Sequence, residues 1–261
     1  MEAMRYPNWS GGERHGFSAR DKHLTLLRWR ANILYGQVNH NTFSIYFRYW
    51  KPSASKYYAD LFIRSRPELF AQGYQGKFAP MGLRNMHWPD DPDLPPQLCQ
   101  TNPETIRYYA EEAVSFYEGK PVKGAPFCPR KLPGCRFTYM IQEDDNHLIC
   151  LCGNCASLMN CWKDKSELER KVRYHFAWVN SVAGEAAKKH PEIGIATLAY
   201  GVPWYPDLSI AKNVTVQLCI GVQGFYHPKF REEAMKIYDS WLENYAKKDG
   251  ELFLWTYMLS P

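Results

Sequence analysis

Three apolar runs limit what this chain can fold into. Ile193–Tyr200 reads IGIATLAY, 213–220 reads NVTVQLCI, and Leu252–Met258 reads LFLWTYM. A strand with one face in water alternates apolar and polar residues, whereas a strand covered on both faces reads as a near-continuous apolar run. Helical patterns stand before and between these runs. Ser166 and Glu169 form a capping box ahead of a helix over about 166–189, with Leu168, Val172, Phe176, Val179, Val182, Ala183 and Ala186 on one apolar face and Pro191 as its stop. Pro228 opens another helix, with Phe230, Ala234, Ile237, Trp241 and Tyr245 on one side. Buried strands alternating with helices are parallel βαβ units.

The same pattern extends towards the N-terminus. Residues 1–17 are polar, Gly-rich and irregular. Ser18 caps a helix to about Asn32, and Ile33–Tyr35 is a short strand that exits into GQVNHNTF. Ser53–Ile63 is helical, 71–97 is a long loop containing His87 and Trp88, and Leu98–Cys99 is a short strand. Asn102 followed by Pro103 starts a helix, since Asn caps and Pro loses no needed donor at that position. Its stripe is Ile106, Tyr109, Ala110, Ala113 and Phe116, and it ends near Gly119. A linker over 121–135 leads to the strand Phe137–Gln142 and then to a cysteine-rich loop.

About six strands and five helices are expected by this pattern. The fold class is α/β, a (β/α)8 TIM-type barrel whose first or last units lie outside these residues, with an open doubly wound sheet as the alternative. The division is an irregular segment over 1–17 and a barrel domain over 18–261. No Gly-rich dinucleotide loop or P-loop follows any strand, which weakens a nucleotide-binding reading.

Charge and composition narrow the ligand. The net charge is +5, with Lys and Arg spread among acids, so no phosphate-tracking surface is expected and nucleic acid is set aside. No apolar run reaches membrane-spanning length. The aromatic fraction of 15%, with 9 Trp and 18 Tyr, favours a cleft lined by ring faces. The N-terminal residues lack the apolar centre of a signal peptide. The protein is therefore expected to be secreted or periplasmic if a signal lies outside this sequence, and cytoplasmic otherwise.

The chemistry concentrates in FTYMIQEDDNHLICLCGNC, Phe137–Cys155. Glu143, Asp144 and Asp145 follow a buried strand, where a parallel α/β enzyme presents its reactive groups. Glycoside hydrolysis needs one carboxylic acid for the leaving oxygen and one carboxylate as nucleophile, base or stabiliser, so Glu143 and Asp144 are the candidate catalytic pair. Asp207 is an alternative second carboxylate, and a solvated acidic turn is the competing explanation.

Of 8 cysteines, six fall between Cys128 and Cys161. Cys150, Cys152 and Cys155 have chelate-like spacing, and Cys161, Cys135, Cys128 or His147 would supply a fourth ligand to a structural zinc. Cys161 is the fourth member of the candidate set. Buried free thiols, or disulfides in an exported protein, are the competing explanation. Asn39 and His40 follow a strand end and suit sugar hydroxyls. Tyr200, Trp255 and Tyr257, at strand ends, suit ring stacking.

Several motifs, taken in order, resemble one family. They are NHNTF at Asn39–Phe43, PELF at Pro67–Phe70 with Gly76, QLCQTNPE at Gln97–Glu104, QEDDNHLICLCGNC at Gln142–Cys155, TLAY at Thr197–Tyr200, NVTVQLC at Asn213–Cys219, and LWTY at Leu254–Tyr257. The chain resembles the bacterial domain-of-unknown-function family DUF4838, which is placed with the TIM-barrel glycoside hydrolases. The resemblance covers roughly 17–258, departing at the extra Asp145 and at His147, where an aromatic is common. It implies a barrel, carbohydrate chemistry, an oligosaccharide or polysaccharide partner, and further domains in a longer native protein. It implies no catalytic cofactor. A non-catalytic carbohydrate-binding barrel with a structural zinc is the alternative to a hydrolase.

Overall fold

A computed structural model describes residues 42–50, 59–73, 97–120, 138–143, 149–221 and 224–257, with residues 43, 59, 138, 256 and 257 described by backbone alone. All lie within the unit Gln37–Pro261. In chain order the elements are α1 (Phe43–Tyr49), α2 (Pro103–Tyr117), β1 (Thr138–Met140), α3 (Gly153–Asn160), α4 (Glu167–Ala187), β2 (Gly194–Tyr200), β3 (Val214–Gly221), α5 (Pro228–Asn244) and β4 (Glu251–Tyr257).

The four strands form one parallel sheet in the order β1-β2-β3-β4. The fold is thus mixed α/β, and sequence neighbours are neighbours in the sheet. Of the expected strands, Ile33–Tyr35 lies outside the described residues. Leu98–Cys99 makes a single antiparallel bridge, Phe70 to Leu98, rather than a strand of the sheet. Of the expected helices, the one over 18–32 lies outside the described residues, and the described end of Ser53–Ile63 contains a 3-10 turn at Ala59–Leu61.

Successive side chains of a strand point to opposite faces. One face of the sheet carries Tyr139, Ile141, Ile195, Val214, Val216 and Leu218, which join the main core with α2, α4 and α5. Trp178 of α4 meets Tyr109 of α2 edge to face, with ring centroids 5.4 Å apart. Trp241 of α5 is fully buried against Phe176 of α4, and its indole N–H donates to the Val202 carbonyl at 2.7 Å. Each such side chain contributes about 1.5–3 kcal/mol by leaving water. The other face carries a smaller cluster of Met140, Ala196, Leu198 and Cys219, with Trp255 packed against it. Both faces of β2 and β3 are covered, as their unbroken apolar runs require.

Helix ends follow their caps. The Asn102 side chain accepts the Glu104 amide at 2.9 Å and Pro103 opens α2. Gly119 follows with φ +76, a conformation that suits glycine past a helix end. Ser166 accepts the Glu169 amide at 3.1 Å to start α4, while the Glu169 carboxylate binds Arg173. Two expected core positions are exposed: Leu168 in the first turn of α4 and Phe230 in the first turn of α5. Phe230 instead packs beside Phe225 in the preceding loop.

One buried carboxylate ties α1 to the rest. Glu112 of α2 accepts from Ser44 at 3.0 Å, from Tyr139 at 2.9 Å and from Arg48 at 3.3 Å. Burial pushes its carboxyl up, against the pull of Arg48 and the two hydroxyls. Asn213, which lies in a glycosylation sequon, spends its amide on the Ala183 and Ile193 carbonyls at 2.9 and 3.0 Å.

Candidate metal centre and strand-end site

Four sulfurs converge beside α4. Cys150 and Cys152 come from the segment after β1, Cys155 from the first turn of α3, and Cys99 from the turn that leads into α2. Cys99 Sγ lies 3.8 Å from Cys152 Sγ and 3.8 Å from Cys155 Sγ. All four ligand atoms fall within 4.8 Å of one another. A disulfide requires about 2.05 Å, so these are free thiols. Zinc–sulfur bonds of about 2.3 Å in a tetrahedron give sulfur–sulfur edges of about 3.8 Å. The donor set, its burial and its edges therefore fit a closed tetrahedral site, which zinc or iron would fill.

The surroundings suit thiolates. The Gln72 amide donates to Cys150 Sγ at 3.3 Å. The hydroxyls of Thr101 and Tyr174 lie 3.0 and 3.1 Å from Cys155 Sγ, placed to donate to it. Cys155 also sits in the first turn of α3, where helix amides and the helix dipole favour negative charge. Among the four thiols, hydrogen bonds from Cys150 and then Cys99 push the Cys155 thiol well down. Cys150 is pushed up chiefly by its bond to Cys155. Burial and the bond to Cys155 push the Tyr174 phenol up. Ala71 and Tyr174 complete an apolar wall around the sulfurs.

Of the expected ligands, the structure brings together Cys150, Cys152 and Cys155. Cys161 is exposed, past the end of α3, with its thiol 3.5 Å from the Ser157 carbonyl. Cys99 takes the fourth place. Cys128, Cys135 and His147 lie outside the described residues.

A second constellation stands at the C-terminal end of β1. Gln142 Oε1 accepts the Leu198 amide at 3.0 Å and the Thr197 hydroxyl at 3.1 Å. Thr197 Oγ1 lies 2.8 Å from His175 Nε2. His175 Nδ1 lies 2.6 Å from Glu143 Oε2. The line thus runs from the segment after β1 through β2 to α4 and back to that same segment. Gln142, Thr197 and His175 are buried, while the Glu143 side chain keeps 26% of its surface exposed. His175 was not among the expected site residues, although a histidine on the Val172–Phe176–Val179 face of an amphipathic helix was the signal for it.

The remaining candidates divide. Tyr200 is half exposed at the end of β2. Through the register Tyr200–Cys219–Trp255 it shares a row with Trp255, which packs against the smaller cluster. Asn39, His40, Asp144 and the Tyr257 side chain lie outside the described residues, as do Asp145, His87 and Trp88. Asp207 lies in the loop between β2 and β3 with φ 60, and its carbonyl accepts from Arg173. Trp204 packs into the main core against Trp241. Among the described residues no helix is long and apolar enough to cross a membrane.

No curated protein and no solved structure matches the chain. One family model does, over residues 17–260, nearly the whole length. Its description is "Domain of unknown function (DUF4838)", and the chain belongs to that family.

Proposed function

We propose that this chain is a carbohydrate-binding α/β domain, a (β/α)8 barrel in plan, whose strand-end loops are fixed by a structural zinc held by Cys99, Cys150, Cys152 and Cys155. The observation that carries this reading is the four-sulfur group, three of its cysteines buried, with two edges of 3.8 Å and all four ligand atoms within 4.8 Å of one another. A tetrathiolate site has no open position, so its zinc stabilises structure and supplies no chemistry to a ligand. It would cross-link Cys99 to the segment that carries Cys150, Cys152 and Cys155, onto which the Gln72 backbone also hydrogen-bonds. The sequential parallel strands support the barrel plan, and the half-exposed Tyr200, in one row with Trp255 across Cys219, supports a sugar face. Elemental analysis of the purified chain should find one zinc per molecule, and a glycan array should find binding without turnover. A metal-free, fully folded chain with four titratable thiols would overturn the zinc half of the reading.

A second reading is favoured by one specific observation, Glu143 at the end of β1 in contact with His175 at 2.6 Å. A carboxylate held this way suits a glycoside hydrolase in which Glu143 and Asp144 divide the roles of proton donor and anion. Glu143→Gln and Asp144→Asn would then each abolish turnover of a glycan with the fold intact. Full turnover in both variants would remove the pair.

A further inference from the structure

The four sulfurs of the cluster are not equivalent. Cys155 is fully buried, and the Thr101 and Tyr174 hydroxyls stand 3.0 and 3.1 Å from its Sγ. A metal-bound sulfur has no hydrogen to give, so with an ion in place both hydroxyls donate to it. Cys150 is buried and accepts the Gln72 amide at 3.3 Å. Cys99 is buried, with the Thr101 hydroxyl 3.7 Å from its Sγ. Cys152 is the one of the four that is not buried. It stands at the N-cap of α3, with its Sγ 3.8 Å from Cys99 Sγ. Metal binding turns all four thiols into thiolates, the nucleophilic form. Protonation then no longer separates them. Access to solvent does, together with the hydrogen bonds that already occupy a sulfur's lone pairs.

We infer that Cys152 is a modification site for small oxidants of the peroxide class, with Cys99 as its resolving partner, and that oxidation of this pair opens the metal centre. The Cys152 thiolate attacks one peroxide oxygen, the O–O bond breaks, and hydroxide leaves, which gives a sulfenic acid. The Cys99 thiolate then attacks that sulfur, an S–S bond forms, and a second hydroxide leaves. Two protons from solvent turn the hydroxides into water. The two sulfurs together lose two electrons, and the two peroxide oxygens gain them. Cys155 stands at the same 3.8 Å from Cys99, but it is sealed from solvent and holds two hydroxyl donors, so it is not the first sulfur an oxidant meets. A sulfur–sulfur bond of about 2.05 Å cannot coexist with a tetrahedral edge of about 3.8 Å. The new bond therefore leaves Cys150 and Cys155, two donors where a closed site needs four. The inference rests on the zinc reading, which supplies the thiolates, and adds the regulation of that centre. Cys99 stays linked to the segment of Cys152, now covalently, while the tie through the ion is lost.

The test treats the zinc-bound full chain with one equivalent of hydrogen peroxide. The Cys161→Ser variant serves as the starting protein, since that thiol is exposed and lies outside the cluster. Zinc release is followed with a colorimetric chelator, and the disulfide is located by peptide mass mapping. One zinc should leave for each disulfide formed, the bond should join Cys99 to Cys152, and Cys150 and Cys155 should remain open to alkylation. A dithiol reductant with added zinc should restore the site. A first bond that includes Cys150 or Cys155 overturns the inference and leaves the zinc reading intact, as does a Cys99–Cys152 bond with the zinc retained, or Cys152 carried on to a sulfinic acid with no bond to Cys99. A purified chain that neither carries nor takes up zinc overturns both. All four ligands are present throughout, so no outcome depends on whether a ligand variant folds.

Discussion

The sulfur cluster and the Glu143 line meet successive residues of α4, Tyr174 and His175, yet different physics holds them. Neighbouring residues on a helix point about 100° apart, so one helix serves both sides. On the Tyr174 side, four soft donors from two distant segments converge on a point, each segment tied to residues 69–72 by a few backbone hydrogen bonds rather than by a strand of the sheet. On the His175 side, the groups hang from paired strands and a packed helix, and each hydrogen bond hands on to the next. The first arrangement has the donor set to draw its cohesion from an ion, whereas the second depends on the sheet. In the sequence, residues 144–149 separate Glu143 from Cys150.

Removing a sulfur should break the comparison most sharply. Cys155→Ser is expected to lose the metal and to lower stability by more than about 4 kcal/mol, because binding of a structural zinc is part of the folding free energy. Denaturant unfolding and metal analysis check this together, and stripping the wild-type protein with a chelator should reproduce the loss. A metal-loaded Cys155→Ser protein with an unchanged midpoint would dissolve the cluster as a unit.

A smaller effect belongs to the other side. Thr197→Val keeps the shape but removes the hydroxyl between His175 and Gln142. It should cost about 1–3 kcal/mol, the usual penalty for unpaired buried polar groups, with metal content unchanged. Loss of metal in this variant would show that the two sides are one unit. The smallest effect is Cys161→Ser. That thiol is exposed and outside the cluster, so stability should stay within about 0.5 kcal/mol and metal stoichiometry should not move.

The strands β2 and β3 were legible because burial on both faces leaves an unbroken apolar run; β4 carries a similar run although its Leu254 is half exposed. The starts of α2 and α4 were legible because Asn102 with Pro103, and Ser166 with Glu169, satisfy local backbone donors by local means. The site was only half legible. Cys150, Cys152 and Cys155 announce themselves by spacing, but Cys99 reaches them from 56 residues before Cys155, a distance that spacing does not encode. The Leu-Cys-x-x-Asn-Pro motif marked that cysteine without saying where it goes. Helix α3 was read as loop, since Gly153 and Asn154 are poor helix formers; it forms with Cys155 anchored in the sulfur group. Leu168 and Phe230 show the reverse error. Helical spacing predicts a face, but a first turn that projects past the packed surface leaves that face in water.

The β1-β2-β3-β4 order also sets a sequence of assembly. Ile195–Val214 closes the shortest chain loop in the sheet, Thr215–Glu251 a longer one and Thr138–Gly194 the longest. Loop-closure entropy therefore favours folding from the C-terminal half, with β1 joining last. The Cys99 segment lies outside that sheet and is held by its bridge to Phe70 and by the sulfur group, which can form only while its thiols stay reduced.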